Sequence, residues 1–143
     1  MNQTTELLAR VAENARTGRN ATDQLLKRVD DESMRAELTT QRDFYSGAEQ
    51  NAVQKLGGFD EKAPWENPVA RAGMWAGIRM NTAFDKSNSN LADIVIQGAT
   101  MGVIDTTKAR NEFPDAGAEA QDAASAFITQ QQDAIERMKN FLM

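Results

Sequence analysis

Apolar residues recur at spacings of three and four positions along nearly the whole chain, and this periodicity restricts the fold more than any other feature. An α-helix has 3.6 residues per turn, so this spacing places the apolar side chains on one face of a helix. Only three prolines occur in the sequence, and no stretch shows the alternation that is typical of a strand. The sequence therefore predicts an all-α fold.

Four long periodic segments are separated by residues that typically end or begin helices. Asp30-Asp31 provides a tight connection, Gly57-Gly58 ends a helix, Ser87 begins a capping stretch, and Asp115 is a candidate N-cap. Each short connection predicts that the two helices it joins are antiparallel neighbours. The four segments cover about residues 4–29, 32–56, 91–112 and 116–142.

A fifth, shorter helix is predicted over residues 68–84, because Asn67 is a good cap and Pro68 suits the first helical position. Met74, Trp75 and Ile78 place apolar bulk away from its main apolar face, so the helix needs neighbours on several sides. We expect these three residues to form a homodimer contact. The alternatives are close packing in the chain's own core and binding at a membrane surface.

Two helical hairpins, over residues 4–57 and 91–142, bury their apolar faces most simply against each other. The sequence therefore predicts one domain over residues 1–143, built as an antiparallel four-helix bundle. The short helix over 68–84 lies between the two hairpins in this arrangement.

Four local sequences resemble those of a known family: Thr17-Gly18, Lys55-Leu56-Gly57-Gly58, Ala70-Arg71-Ala72-Gly73-Met74-Trp75 and Met101-Gly102-Val103-Ile104-Asp105. The family is a bacterial, uncharacterised ferritin-like family, a domain of unknown function with rubrerythrin-type four-helix bundles. The resemblance extends over about residues 4–142. It implies a ferritin-like fold, and it implies no particular activity.

Charge and composition exclude several classes of protein. The net charge is −5, and the densest basic cluster, Arg10 to Arg28, is interrupted by Glu13 and Asp23, so we expect a solvated helix face and no nucleic-acid binding. The chain has no cysteine, which excludes disulfides and thiolate chemistry. No stretch of about 18 apolar residues and no signal-peptide pattern occurs, so we expect a cytoplasmic protein without a membrane span.

Metal and catalytic sites also lack their usual residues. Ferritin-like bundles that hold two irons use Glu-x-x-His on two helices, and this chain has no histidine. Gln41 faces inward where a carboxylate would be needed, so we expect no redox metal, no cofactor and no enzyme activity. Asp105 is the only clear inward carboxylate for magnesium or calcium. If a metal were held after all, its candidate ligands would be Glu13, Glu49, Asp105 and Glu119.

Several polar residues fall on the predicted inner faces of the long helices. They have two interpretations: a hydrogen-bonded layer that fixes helix register, or a small-ligand pocket or degenerate metal site. The first interpretation predicts a non-catalytic interaction or structural module. The second predicts a small-ligand-binding or metal-binding bundle. The residues of this predicted polar layer are Thr22, Gln41, Tyr45, Asp105 and Gln131.

Overall fold

The computed structural model describes residues 2–57 and 85–143. Within these ranges the chain is all-helical and contains no strand. The predicted helix over 68–84, with Met74, Trp75 and Ile78, lies outside the described residues. The long helices are α1 (Gln3–Leu26), α2 (Glu32–Lys55), α3 (Asn88–Glu112) and α4 (Ala118–Met138), and a 3-10 turn (Lys139–Phe141) follows.

Local sequence determines most of the helix ends. Asp31 is the N-cap of α2, where its carboxylate accepts a hydrogen bond from the Met34 backbone N at 2.9 Å. Ser87 caps α3 in the same way, with its hydroxyl 3.2 Å from the Asn90 backbone N. Gly57 has a φ of 78°, the left-handed conformation in which a glycine after a helix is strongly favoured. The predicted cap at Ser87 and the predicted helix end at Gly57 are confirmed, whereas Asp31, predicted as part of the connection between α1 and α2, is the N-cap of α2.

The start of α4 differs from the prediction. Gly117, not Asp115, is its N-cap, and the helix begins at Ala118. The reason is a contact with the N-terminal turn of α1: the backbone N of Asp115 donates to Gln3 Oε1 at 2.7 Å, and that of Gly117 donates to Thr4 Oγ1 at 2.8 Å. Side chains of α1 therefore accept hydrogen bonds from the backbone N–H groups just before α4, and the Asp115 carboxylate is not required as a cap.

The helix α1 packs against each of the other three helices, most extensively against α2. The buried apolar residues form two clusters. The first cluster includes residues of α1 together with Tyr45 and Leu56 of the α2 end, and Ala116 and Phe127; its α1 members are Leu7, Leu8, Val11, Ala12 and Ala15. Ala21 and Leu25 of α1 belong to the second, together with Val29, Met34, Leu38, Leu91, Ile94, Val95 and Met138. No helix of the described residues has a stretch long and apolar enough to cross a membrane.

The inner faces of α1 and α4 agree with the periodicity, whereas that of α3 is partly wrong. Asp105, which the pattern places inside, is partly exposed, while Thr106 is fully buried. The helix α3 is therefore rotated, so that Thr106 faces α1 and the Asp105 carboxylate lies near its edge. This rotation decides where Asp105 finds its partners.

Gly18 brings α1 and α2 into close contact. A Cβ atom added at Gly18 would lie 2.3 Å from Cε1 of the Tyr45 ring, a distance that packed atoms cannot adopt. The ring of Tyr45 therefore rests on the backbone of α1, which carries no side chain at this point. This contact holds the Tyr45 hydroxyl in the centre of the bundle.

Candidate functional site

Tyr45 and Gln131 form the centre of the polar interior. The Tyr45 hydroxyl donates a hydrogen bond of 2.8 Å to Gln131 Oε1, and both residues are only 2% exposed. Burial raises the pKa of Tyr45 to about 12, although the hydrogen bond to Gln131 acts in the opposite direction. Tyr45 is therefore uncharged at neutral pH and connects α2 to α4.

Gln41 lies one turn before Tyr45 and takes part in a second set of hydrogen bonds that connects α2 to α4. Its Nε2 donates to Glu37 Oε2 at 2.9 Å, and Nε of Arg137 donates to the same oxygen, also at 2.9 Å. The other amide atom, Gln41 Oε1, is buried and accepts no hydrogen bond within residues 2–57 and 85–143. A buried carbonyl oxygen without a donor lowers the stability of the fold.

Asp105 belongs to a different cluster, between α1 and α3. Its Oδ1 accepts from Arg10 at 3.2 Å, and its Oδ2 accepts from Asn14 Nδ2 at 2.8 Å. The same Asn14 amide donates to the buried Thr106 hydroxyl at 3.0 Å. A charge-assisted pair and a buried amide thus connect these two helices.

The predicted polar layer of five residues is therefore not present as one unit. Only Tyr45 and Gln131 bind each other directly, while Gln41 and Asp105 take part in separate clusters. Thr22 donates to the Gly18 carbonyl of its own helix at 2.7 Å. Periodicity assigned these residues to inner faces, but it gave neither their depth along the bundle nor the rotation of α3.

Glu49 is the most strongly paired carboxylate in the described ranges, and its role was not predicted. It is 6% exposed and accepts from Arg16 Nε at 2.7 Å and from Arg19 as well. With Arg10, these arginines belong to the basic cluster that was expected to be a solvated face; all three are partly exposed, and each also binds a carboxylate of another helix. The available signal was the spacing of Arg16 and Arg19, which puts both on one side of α1.

The four candidate metal ligands do not converge in the described part of the chain. Asp105 and Glu49 are bonded to arginines, and Glu119 is exposed in the first turn of α4. Glu13 is buried, at 7% exposure. Across residues 2–57 and 85–143, no three acidic side chains lie close enough together to hold a metal ion.

A groove of about 290 Å³ opens between α2 and α4 on the outside of the bundle. The two helices meet where the rings of Phe44 and Phe127 stack, with centroids 5.8 Å apart, and the groove lies beside this contact. Val11 of α1 forms part of its floor. The residues that line this α2–α4 groove are Val11, Asp43, Phe44, Gly47, Ala48, Asn51, Ala123, Ala126 and Phe127.

Comparison of the chain with models of protein families, with curated proteins and with solved structures finds no match. The resemblance to a ferritin-like family therefore stays a prediction from sequence. The function has to be inferred from the geometry of the polar interior and of the α2–α4 groove.

Proposed function

We propose that this protein is a non-catalytic helical bundle that serves as an interaction or structural module. One observation supports this function above all: three carboxylates each bind an arginine from another helix. The pairs are Glu37 with Arg137, Glu49 with Arg16 and Arg19, and Asp105 with Arg10. A carboxylate used in this way stabilises the fold, and acting as a base or metal ligand would require it to give up this ion pair.

A second candidate function is binding of a small ligand inside the bundle. It is favoured by Gln41 Oε1, which is buried and accepts no hydrogen bond from the described residues. A ligand with a hydroxyl or amino group would supply the donor. The Tyr45 hydroxyl is a weak candidate for such binding, because Gln131 already accepts its proton.

We further propose that the four helices form an antiparallel bundle of ferritin-like topology. Ion pairs support antiparallel α1 and α2, since Arg16 binds Glu49 whereas the later Asp23 binds the earlier Arg42 at 3.8 Å. The chain leaves α2 beside the first apolar cluster, at Leu56, and enters α3 beside the second, at Leu91. These positions of Leu56 and Leu91 support a connection between opposite ends of the bundle, such as the long crossover that ferritin-like folds have.

A cytoplasmic location and a homodimer through Met74, Trp75 and Ile78 complete the proposal. Both rest on the sequence: the first on the lack of cysteine, the second on the apolar bulk of residues 68–84. Sedimentation of wild-type protein and of Trp75→Glu tests the dimer. A wild-type monomer at tens of micromolar would contradict it.

Metal analysis tests the non-catalytic assignment. Protein expressed with added iron and manganese should contain far less than one metal ion per chain, and neither ion should raise its melting temperature. Stoichiometric metal that is retained by Glu119→Gln but lost in Glu49→Gln and Asp105→Asn would overturn the proposal, because the inward carboxylates would then be ligands.

A further inference from the structure

We propose that the bundle opens along the line of contact between α2 and α4, the α2–α4 seam, with α2 turning outward about α1 as a hinge. The opening widens the α2–α4 groove and gives molecules from solvent access to the buried Tyr45–Gln131 pair. This movement goes beyond the proposed function, because it does not depend on whether the protein is an interaction module or binds a small ligand.

The contacts between helices make α2 the element that is most easily displaced. Among the described long helices, α1 packs against all three of the others, whereas α2 packs extensively against α1 alone. The contact of α2 with α4 is far less extensive than any contact that α1 makes with these helices. A helix that shares little surface with its neighbour separates from it at low cost, so the α2–α4 seam should open before the interfaces of α1 do.

Apolar packing across the seam is interrupted by the α2–α4 groove. The groove lies beside the stack of Phe44 on Phe127, and its other apolar residues on α2 and α4 are all glycine or alanine. A Cβ atom added at Gly47 meets no atom within 4 Å, so α4 does not pack on α2 at this position. Since few atoms touch across this part of the seam, little dispersion attraction is lost when the two helices separate.

Two polar contacts hold the seam, and water can replace both. Arg137 Nε donates to Glu37 Oε2 at 2.9 Å, and the Arg137 side chain is 43% exposed, so this pair is already in contact with solvent. The Tyr45 hydroxyl donates to Gln131 Oε1, and in the open state both groups bind water instead. The net loss is small, because hydrogen bonds to water take the place of hydrogen bonds within the protein.

Gln41 lies at the same seam and favours its opening. Its amide shares Glu37 with Arg137 of α4, while its Oε1 is buried and accepts no hydrogen bond from the described residues. In the open state water donates to this oxygen, so the closed state carries a cost at Gln41 that the open state does not.

Nitration by tetranitromethane measures how often the seam opens. Tyr45 is the only tyrosine of the chain and is 2% exposed, so it reacts only when an opening exposes it. In the full-length protein at low urea, the rate of nitration should hardly change with urea concentration, because opening the seam exposes little surface. Reaction through global unfolding would instead rise with the full urea dependence of unfolding.

Two leucine variants connect the rate of nitration to Gln41. Gln41→Leu removes the buried oxygen and should slow nitration of Tyr45 at least ~5-fold, since the closed state no longer carries its cost. Gln50→Leu is the matched control, because it places the same side chain at an exposed position of α2 outside the groove, and it should leave the rate unchanged. Circular dichroism checks that each variant keeps its helix content.

Spin labels measure the direction of the movement, since the chain has no cysteine of its own. Labels at the exposed positions Gln50→Cys on α2 and Thr129→Cys on α4 report on the seam. The control pair keeps Thr129→Cys and has its other label at Asn20→Cys on α1, also exposed. Adding Gln131→Leu, which removes the acceptor of Tyr45, should raise the fraction of molecules with a longer α2–α4 distance at least ~5-fold and leave the control distance unchanged.

Four results would overturn the inference. They are nitration of Tyr45 with the full urea dependence of unfolding, equal nitration rates in the wild type and Gln41→Leu, an α2–α4 distance in Gln131→Leu that stays as narrow as that of the control pair, and equal broadening of both distances. The last result would show that the two helical hairpins separate as wholes, so that α1 is not the hinge. If Gln131→Leu does not fold, the nitration rates alone decide.

Discussion

At Gly18 the backbone of α1 lies directly beneath the ring of Tyr45, and that contact places the tyrosine hydroxyl on Gln131. Three residues from three helices therefore determine the centre of the bundle. The sequence indicated that Tyr45 and Gln131 face inward, because their positions follow helical spacing. It could not indicate that Gly18 and Tyr45 touch, since that depends on the relative depth of two helices.

Gly18→Ala should lower the free energy of unfolding by roughly 2–3 kcal/mol, because the added methyl group collides with the Tyr45 ring and overpacking outweighs the better helix propensity of alanine. Gly47→Ala is the matched control. Its added methyl group meets open space, so this substitution should raise the free energy of unfolding by up to ~1 kcal/mol. Urea unfolding followed by circular dichroism measures both. Equal effects of the two substitutions would contradict the proposed contact.

Tyr45 should make the fold sensitive to alkaline pH. Its pKa is about 12 in the folded protein and 10.0 in the ordinary state, so the unfolded chain loses its proton first. The stability that the protonated Tyr45 contributes is fully present below pH 10. It declines as the pH rises towards 12, by a total of ~2–3 kcal/mol. Unfolding free energies at pH 9 and pH 11.5 measure this decline. Tyr45→Phe should show a smaller decline, and an equal decline in both proteins would contradict the assignment.

Gln41→Leu should leave the free energy of unfolding within ~1 kcal/mol of wild type or raise it, because the substitution removes a buried oxygen that accepts no hydrogen bond from the described residues. Arg137 still pairs with Glu37 in this variant. Gln131→Leu is the comparison. It removes the acceptor that the buried Tyr45 hydroxyl uses, so it should lower the free energy of unfolding by ~1–3 kcal/mol. A comparable cost for Gln41→Leu would indicate a bound molecule at Gln41 Oε1 and favour the small-ligand function.

At the scale of helices, local signals and tertiary contacts determined different features. Ser87 and Gly57 act within one turn of the chain, so the sequence predicted their roles correctly. The start of α4 depends on Gln3 and Thr4 of another helix, so no local signal could place it. The arginine pairs of Glu49 and Asp105 likewise depend on how α1, α2 and α3 are rotated.

Glu49→Gln should lower the free energy of unfolding by roughly 2 kcal/mol, since it leaves Arg16 and Arg19 without their shared carboxylate. The cost stays below that of a fully buried pair, because these arginine side chains are 38% and 32% exposed. Glu119→Gln, an exposed carboxylate on α4, should change stability by no more than ~0.5 kcal/mol. Equal effects in thermal and urea unfolding would show that the Glu49 pairs contribute nothing to the fold.

For the whole molecule, the function depends on what the polar interior binds. Periodicity and the lack of histidine predicted helices and argued against a di-iron centre, and four long helices are present in the described residues. The sequence did not reveal the interhelical arginine pairs or the α2–α4 groove, because both depend on how helices pack. The central claim is that Glu37, Glu49 and Asp105 bind arginines and hold no metal.

Anomalous scattering from crystals grown with iron and manganese tests this claim most directly. Data collected at the absorption edges of both metals should show no anomalous density inside the bundle, with Arg16 and Arg19 still bonded to Glu49 and Arg10 to Asp105. An ordered metal peak between Glu13, Glu49 and Asp105, with the arginines displaced from both carboxylates, would contradict the account.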